Sequence, residues 1–129
     1  MYDDEIKRII DNTVSATILR LKAAGLLRDG EKTAMEKTEE LLRQYKTLKE
    51  IDQPYAKTLV AEIDKCLDEQ RNDPYINIIR LYYFEGLTNA AAANEMYCDE
   101  RTARRNRKKL VRAFSARLVS DEFLRELLM

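Results

Sequence analysis

The chain has no histidine, and only 3 glycines, 2 prolines and 2 cysteines among its 129 residues. Without histidine, a zinc site would need an unusual set of carboxylate ligands. Cys66 and Cys98 are far apart and follow neither a metal-ligand nor a redox spacing, so both read as thiols in or near a core. Scarce glycine and proline leave few places for sharp turns. No stretch approaches the ~18 consecutive apolar residues of a membrane span. The leading Met1-Tyr2-Asp3-Asp4-Glu5 carries no signal-peptide pattern, and the expectation is a cytoplasmic protein away from membranes. Also missing are a glycine-rich phosphate loop, a nucleophile–base signature and a pair of acids set for proton transfer. The reading is therefore of a non-enzyme, with no catalytic residue, metal or cofactor.

What is present points to helices. The length fits one domain, or a small domain with helical extensions. Apolar residues make up 45% of the chain, enough for a core, and charged residues 36%, above the usual ~25%. Such an excess suits long solvated helices. The formal net charge is zero, which argues against a general nucleic-acid coat, but the charge is unevenly spread. Of 23 basic residues 9 follow Tyr97, with only 5 of 23 acidic ones, so that stretch is +4 and the rest −4. A local interaction surface is the natural reading.

Ile6, Ile9, Ile10, Val14, Ile18, Leu21 and Ala24 recur at helical spacing and predict an amphipathic helix over about Asp3–Leu27. Asp3, Asp4 and Glu5 suit the positive end of its dipole, and Arg28-Asp29-Gly30 breaks it. A second helix is predicted over about Lys32–Ile51, with Met35, Thr38, Leu41, Leu42, Tyr45 and Leu48 inward. Its wet side would hold the i,i+4 pairs Glu39 with Arg43 and Lys46 with Glu50. Asp52-Gln53-Pro54 ends it. A third runs over about Tyr55–Arg71, with Leu59, Val60, Ile63 and Leu67 inward. Asn72-Asp73-Pro74 then reads as an N-cap with proline at the first helical position. The fourth, Pro74–Glu85, is apolar nearly all round, so its tyrosines and Phe84 read as core rather than as a base-stacking platform. The fold class is all-α: an arm of three amphipathic helices (1–71), suited to packing inward or to forming a homodimer, then a second unit (72–129).

The informative stretch begins at Gly86, which can close the preceding helix in a left-handed conformation. Thr88 is a good N-cap for a short helix Asn89–Met96, and Asp99 for the next. The link between them is the short turn of a helix-turn-helix. Ala92 and Ala93 allow close helix crossing, while Met96, Cys98 and Ala103 fill the junction. Leu110, Val111, Phe114 and Leu118 continue the inward stripe, and Arg101, Arg104, Arg105 and Lys108 lie on the outward side, flanked by Arg107, Lys109 and Arg112. In such a unit the start of the second helix enters the major groove. Arginine forks suit guanine, and lysines suit phosphates. The residues assigned to double-stranded DNA are Thr88, Asn89, Glu100, Arg101, Thr102, Arg104, Arg105, Arg107, Lys108 and Lys109. For Glu100 two roles stay open: accepting from a cytosine amine, or favouring the helix N-terminus.

Tyr82-Tyr83-Phe84-Glu85-Gly86-Leu87-Thr88, Ala93, Met96 and Cys98-Asp99-Glu100-Arg101-Thr102-Ala103-Arg104-Arg105 together resemble the region-4-like helix-turn-helix of sigma-70 factors. They are more similar still to phage regulators of the ArpU and RinA type. The resemblance covers roughly residues 74–118. It implies a transcription regulator of phage or prophage origin in a bacterial host, with promoter DNA as target and RNA polymerase as a further partner. Weaker likenesses lie in Lys37-Thr38-Glu39-Glu40-Leu41-Leu42 and Ser120-Asp121-Glu122-Phe123-Leu124. The chain departs from the pattern at Tyr97, where glycine is common, at Asn89–Ala92, which lacks acidic or bulky residues, and at Arg107, where an apolar residue is common. Two rival roles fit the same pattern. One is a phage terminase small subunit, a ring partnered by a packaging ATPase; the other is a helical protein–protein adaptor without DNA affinity.

Overall fold

The computed structural model describes residues 33–120. The expected first helix Asp3–Leu27, its breaker and the tail pattern beyond Ser120 lie outside the described residues. Within them the chain is all-α, with no strand: α1 Ala34–Arg43, α2 Tyr45–Lys49, α3 Pro54–Glu69, α4 Asn77–Ile79 continuing into a π-helical turn Arg80–Phe84, α5 Asn89–Glu95 and α6 Glu100–Leu118. None of these helices is long and apolar enough to cross a membrane.

The single helix expected over Lys32–Ile51 is two helices in its described part. Thr33 caps α1 by accepting from the Glu36 N–H, and the helical run is interrupted at Gln44 (φ −88, ψ −2) before α2 resumes. The inward stripe is as the spacing predicts: Thr38, Leu41, Leu42, Tyr45 and Leu48 are buried. Pro54 starts α3 behind an extended Gln53 (φ −137, ψ 144), the backbone state that a following proline favours. Ala56, Leu59, Ile63 and Cys66 point into the core, while Val60 and Leu67 pack at its edge. At the far end of the bundle, Arg117 of α6 donates to Glu62 of α3 at 2.8 Å and also pairs with Glu69. Burial pushes the Glu62 carboxyl up, but the bonds from Arg117 and Lys65 outweigh it and hold its pKa below the ordinary value.

The fourth helix begins later than the sequence predicts. Asp73 accepts from the Tyr75 N–H at 2.8 Å, and residues 74–76 form a turn before α4. The π-helical turn that follows inserts an extra residue, with Glu85 N–H bonding to the Arg80 carbonyl at 2.9 Å. Gly86 (φ +72) ends it, letting Leu87 N–H reach back to the Leu81 carbonyl at 3.0 Å. Ile78, Ile79, Leu81 and Tyr83 are buried, and Phe84 stacks on Tyr45 with ring centroids 4.2 Å apart. These aromatics are spent on packing.

One hydrophobic cluster runs across Asn72-Asp73-Pro74. Leu42, Leu48, Leu59 and Ile63 from one side meet Ile78, Ile79, Leu110 and Phe114 from the other, all essentially without exposure. Burying such a side chain is worth roughly 1.5–3 kcal/mol. Residues 34–69 thus cover the inner side of α6 and leave its outer side to solvent.

Candidate nucleic-acid interface

Thr88 (φ −68, ψ 163) accepts from the Ala91 N–H and starts α5. Asp99 (φ −80, ψ 160) accepts from the Thr102 N–H and starts α6, at 2.6 Å. Each cap satisfies a donor that the helix itself cannot, an arrangement typically worth about 1 kcal/mol. The Thr102 bond first, with Arg105 and Arg101 contributing, holds the Asp99 carboxyl below its ordinary pKa.

Between the caps, the link is a Schellman turn. Cys98 N–H bonds to the Ala93 carbonyl at 3.0 Å and Tyr97 N–H to the Asn94 carbonyl at 3.2 Å. Tyr97 occupies the left-handed position of that turn, at φ 55, where a non-glycine residue bears strain of roughly 1–2 kcal/mol. The turn closes in the left-handed form despite the tyrosine. Ala92, Ala93 and Ala103 are buried where the two helices meet, with Met96 and Cys98 half-buried beside them.

The outward side of α6 carries Arg101, Arg104, Arg105, Lys108 and Arg112, all exposed and related by steps of three, four or seven along the helix. Lys109 is exposed on its flank. Arg104 donates to Glu100 at 2.9 Å, with both side chains about half exposed (49% each); such a pair is weak and readily exchanged. The other five have no hydrogen bond or ion pair to the described residues. Thr88 is exposed, with its oxygen engaged in the cap. Asn89 is half-buried, and its Oδ1 is enclosed without a partner among the described residues. Thr102 is half-buried, and its carbonyl accepts from Asn106 at 2.9 Å.

Arg107 does not belong to this surface. It is 7% exposed and points inward from α6. Its Nη1 donates to Tyr83 Oη at 2.8 Å and to Glu39 Oε2 at 3.3 Å, and the guanidinium lies over the Tyr82 ring, 4.2 Å from its centroid. Tyr83 in turn donates to the same Glu39 oxygen at 2.8 Å, with burial foremost in raising its pKa. The physical reason lies in helical spacing: Arg107 stands four residues after Ala103 and three before Leu110, on the inward stripe. An arginine can occupy that stripe because Glu39 and Tyr83 give its Nη1 a charge and an acceptor, although its Nε is enclosed without a hydrogen bond among the described residues. Glu39, expected on the wet side of its helix, is the residue that sequence reasoning missed. It is half-buried and serves Arg107, Tyr83 and, at 3.7 Å, Arg43. The one available signal was the charged residue at an apolar position of α6, which calls for an acid somewhere opposite.

No family, curated protein or solved structure matches this chain.

Proposed function

We propose that this protein is a sequence-specific DNA-binding transcriptional regulator of phage or prophage type, which reads promoter DNA in the major groove with α6. The observation that carries this reading is the exposed basic side of α6, where Arg101, Arg105 and Lys108 have no hydrogen bond or ion pair among the described residues and Arg104 has only a solvent-exposed one. A helix bearing that many exposed cations on one side, capped at its start and preceded by a short helix across a tight turn, has the parts a groove-reading helix needs. The guanidinium groups offer paired donors to guanine edges. The lysines offer charge to phosphates. RNA polymerase is the further partner that the likeness to sigma-type modules implies.

The test is to select bound sites from a random duplex pool and to measure variants on the selected site. Arg104→Ala and Arg105→Ala are each expected to relax specificity at one base position. Lys108→Ala should weaken binding on all sequences and lower the salt slope by about one. A double variant Arg104→Ala/Arg105→Ala that binds the selected site as tightly as the parent would refute this reading face.

A further inference from the structure

The turn between α5 and α6 holds two costs at one residue. Tyr97 lies in the left-handed region at φ 55, where glycine would be free of strain. Its side chain is also 98% exposed, and it is the single large hydrophobic residue to be exposed among the described residues. No described residue touches the ring or bonds the hydroxyl, so nothing within the described fold is gained from the phenol. By contrast the other left-handed position, at the end of the π-helical turn, is held by Gly86 (φ +72). Strain kept at an exposed position points to a contact beyond the described residues.

The surroundings say of what kind. Tyr97 stands two residues before the α6 cap Asp99, which feels both Arg105 and Arg101. It sits at the head of α6, among the exposed acids Glu95, Asp99 and Glu100. The side of α6 that follows, however, carries Arg101, Arg104, Arg105 and Lys108, and that cationic side favours a polyanion over a basic or apolar protein face. A phenol offers a donor for a phosphate oxygen and a ring to lie against a sugar. Its left-handed backbone holds it clear of both helices. We infer that Tyr97 is a DNA-contacting residue, a neutral clamp on the sugar–phosphate backbone beside the groove that α6 enters. This rests on the proposed reading of duplex DNA by α6.

The experiment compares the full chain with Tyr97→Gly, Tyr97→Asn and Tyr97→Phe, measuring thermal unfolding and titration of a labelled selected duplex over several salt concentrations. Glycine and asparagine both tolerate the left-handed backbone, so both variants should unfold at a higher temperature than the parent. Both should nevertheless bind the duplex about tenfold more weakly, and Tyr97→Phe should lose part of that affinity. Because no cation is removed, the slope of log K against log salt should stay as in the parent. Unchanged affinity in the glycine and asparagine variants would overturn the inference while leaving DNA reading by α6 intact. So would a lower unfolding temperature in both, which would show that the turn is not strained, or a changed salt slope, which would show a shifted docking pose instead of a lost contact. Absence of duplex binding by the parent would instead remove the reading on which the inference depends.

Discussion

Two arginines of α6, Arg105 and Arg107, stand two residues apart and meet opposite environments. Arg105 is exposed on the outer side; Arg107 is buried against Tyr83, Glu39 and the Tyr82 ring. The difference teaches that a run of basic residues on a helix is not one feature. Those in the outward steps remain free for a partner, and the one on the inward stripe becomes part of the fold. It ties α6 to α1 and to the π-helical turn through one carboxylate.

Breaking the inner arginine should give the largest effect. Arg107→Ala takes the buried cation from Glu39 and Tyr83, and removing one member of a buried pair costs about 3–5 kcal/mol; chemical denaturation should show a loss near the lower end, since Glu39 is 22% exposed and keeps Arg43 at 3.7 Å. Arg107→Met combined with Glu39→Gln should recover at least about 1 kcal/mol relative to Arg107→Met alone, because no charge is then stranded. The outer residue gives the contrasting case. Arg105→Ala should change stability by less than about 0.5 kcal/mol, yet cost about 1–3 kcal/mol of discrimination at one base pair. An equal stability loss in both variants would erase the distinction between the two sides.

Smaller effects sharpen the same contrast. Tyr83→Phe removes the hydroxyl that accepts from Arg107 and donates to Glu39, and should cost about 1–2 kcal/mol. The phenol also makes stability depend on alkaline pH. Burial raises Tyr83 above its ordinary value of 10.0, and Tyr45 is pushed up to about 12, by burial and then by its bond to Asp64. A raised folded pKa means that the stabilisation is complete below pH 10 and is lost as pH climbs toward the folded values. Denaturation midpoints should therefore fall above about pH 10, and less steeply in Tyr83→Phe. On the acid side the sign reverses: Glu62 and Asp99 are held below their ordinary values of 4.5 and 3.8, so their contribution is present above those values and fades as pH drops through the lowered ones.

Most helices were legible because their apolar residues keep a helical period and their ends carry caps. Thr88 and Asp99 capped where the sequence placed them, since a hydroxyl or carboxylate at that position has one short-range partner to find. The Gln44 interruption and the π-helical turn were not legible. Neither Gln44 nor Arg80–Phe84 carries a glycine or proline, so no local residue marks the change. The role of Glu39 needed a residue 68 positions away, a pairing that no local pattern encodes. On the candidate interface the exposed steps of α6 are readable from spacing, and Arg107, whose charge suggests the outer side, belongs by register to the inward stripe.

The central claim is that the outer side of α6 is a DNA-binding surface distinct from the structural arginine behind it. Its most direct test is fluorescence anisotropy of a labelled duplex, titrated at low and moderate salt with the parent and with Arg101→Ala/Arg105→Ala/Lys108→Ala. The account predicts salt-sensitive binding by the parent, and loss of most of it in the triple variant at an unchanged unfolding temperature. A flat titration by the parent at both salts, or full affinity in the triple variant, would contradict it.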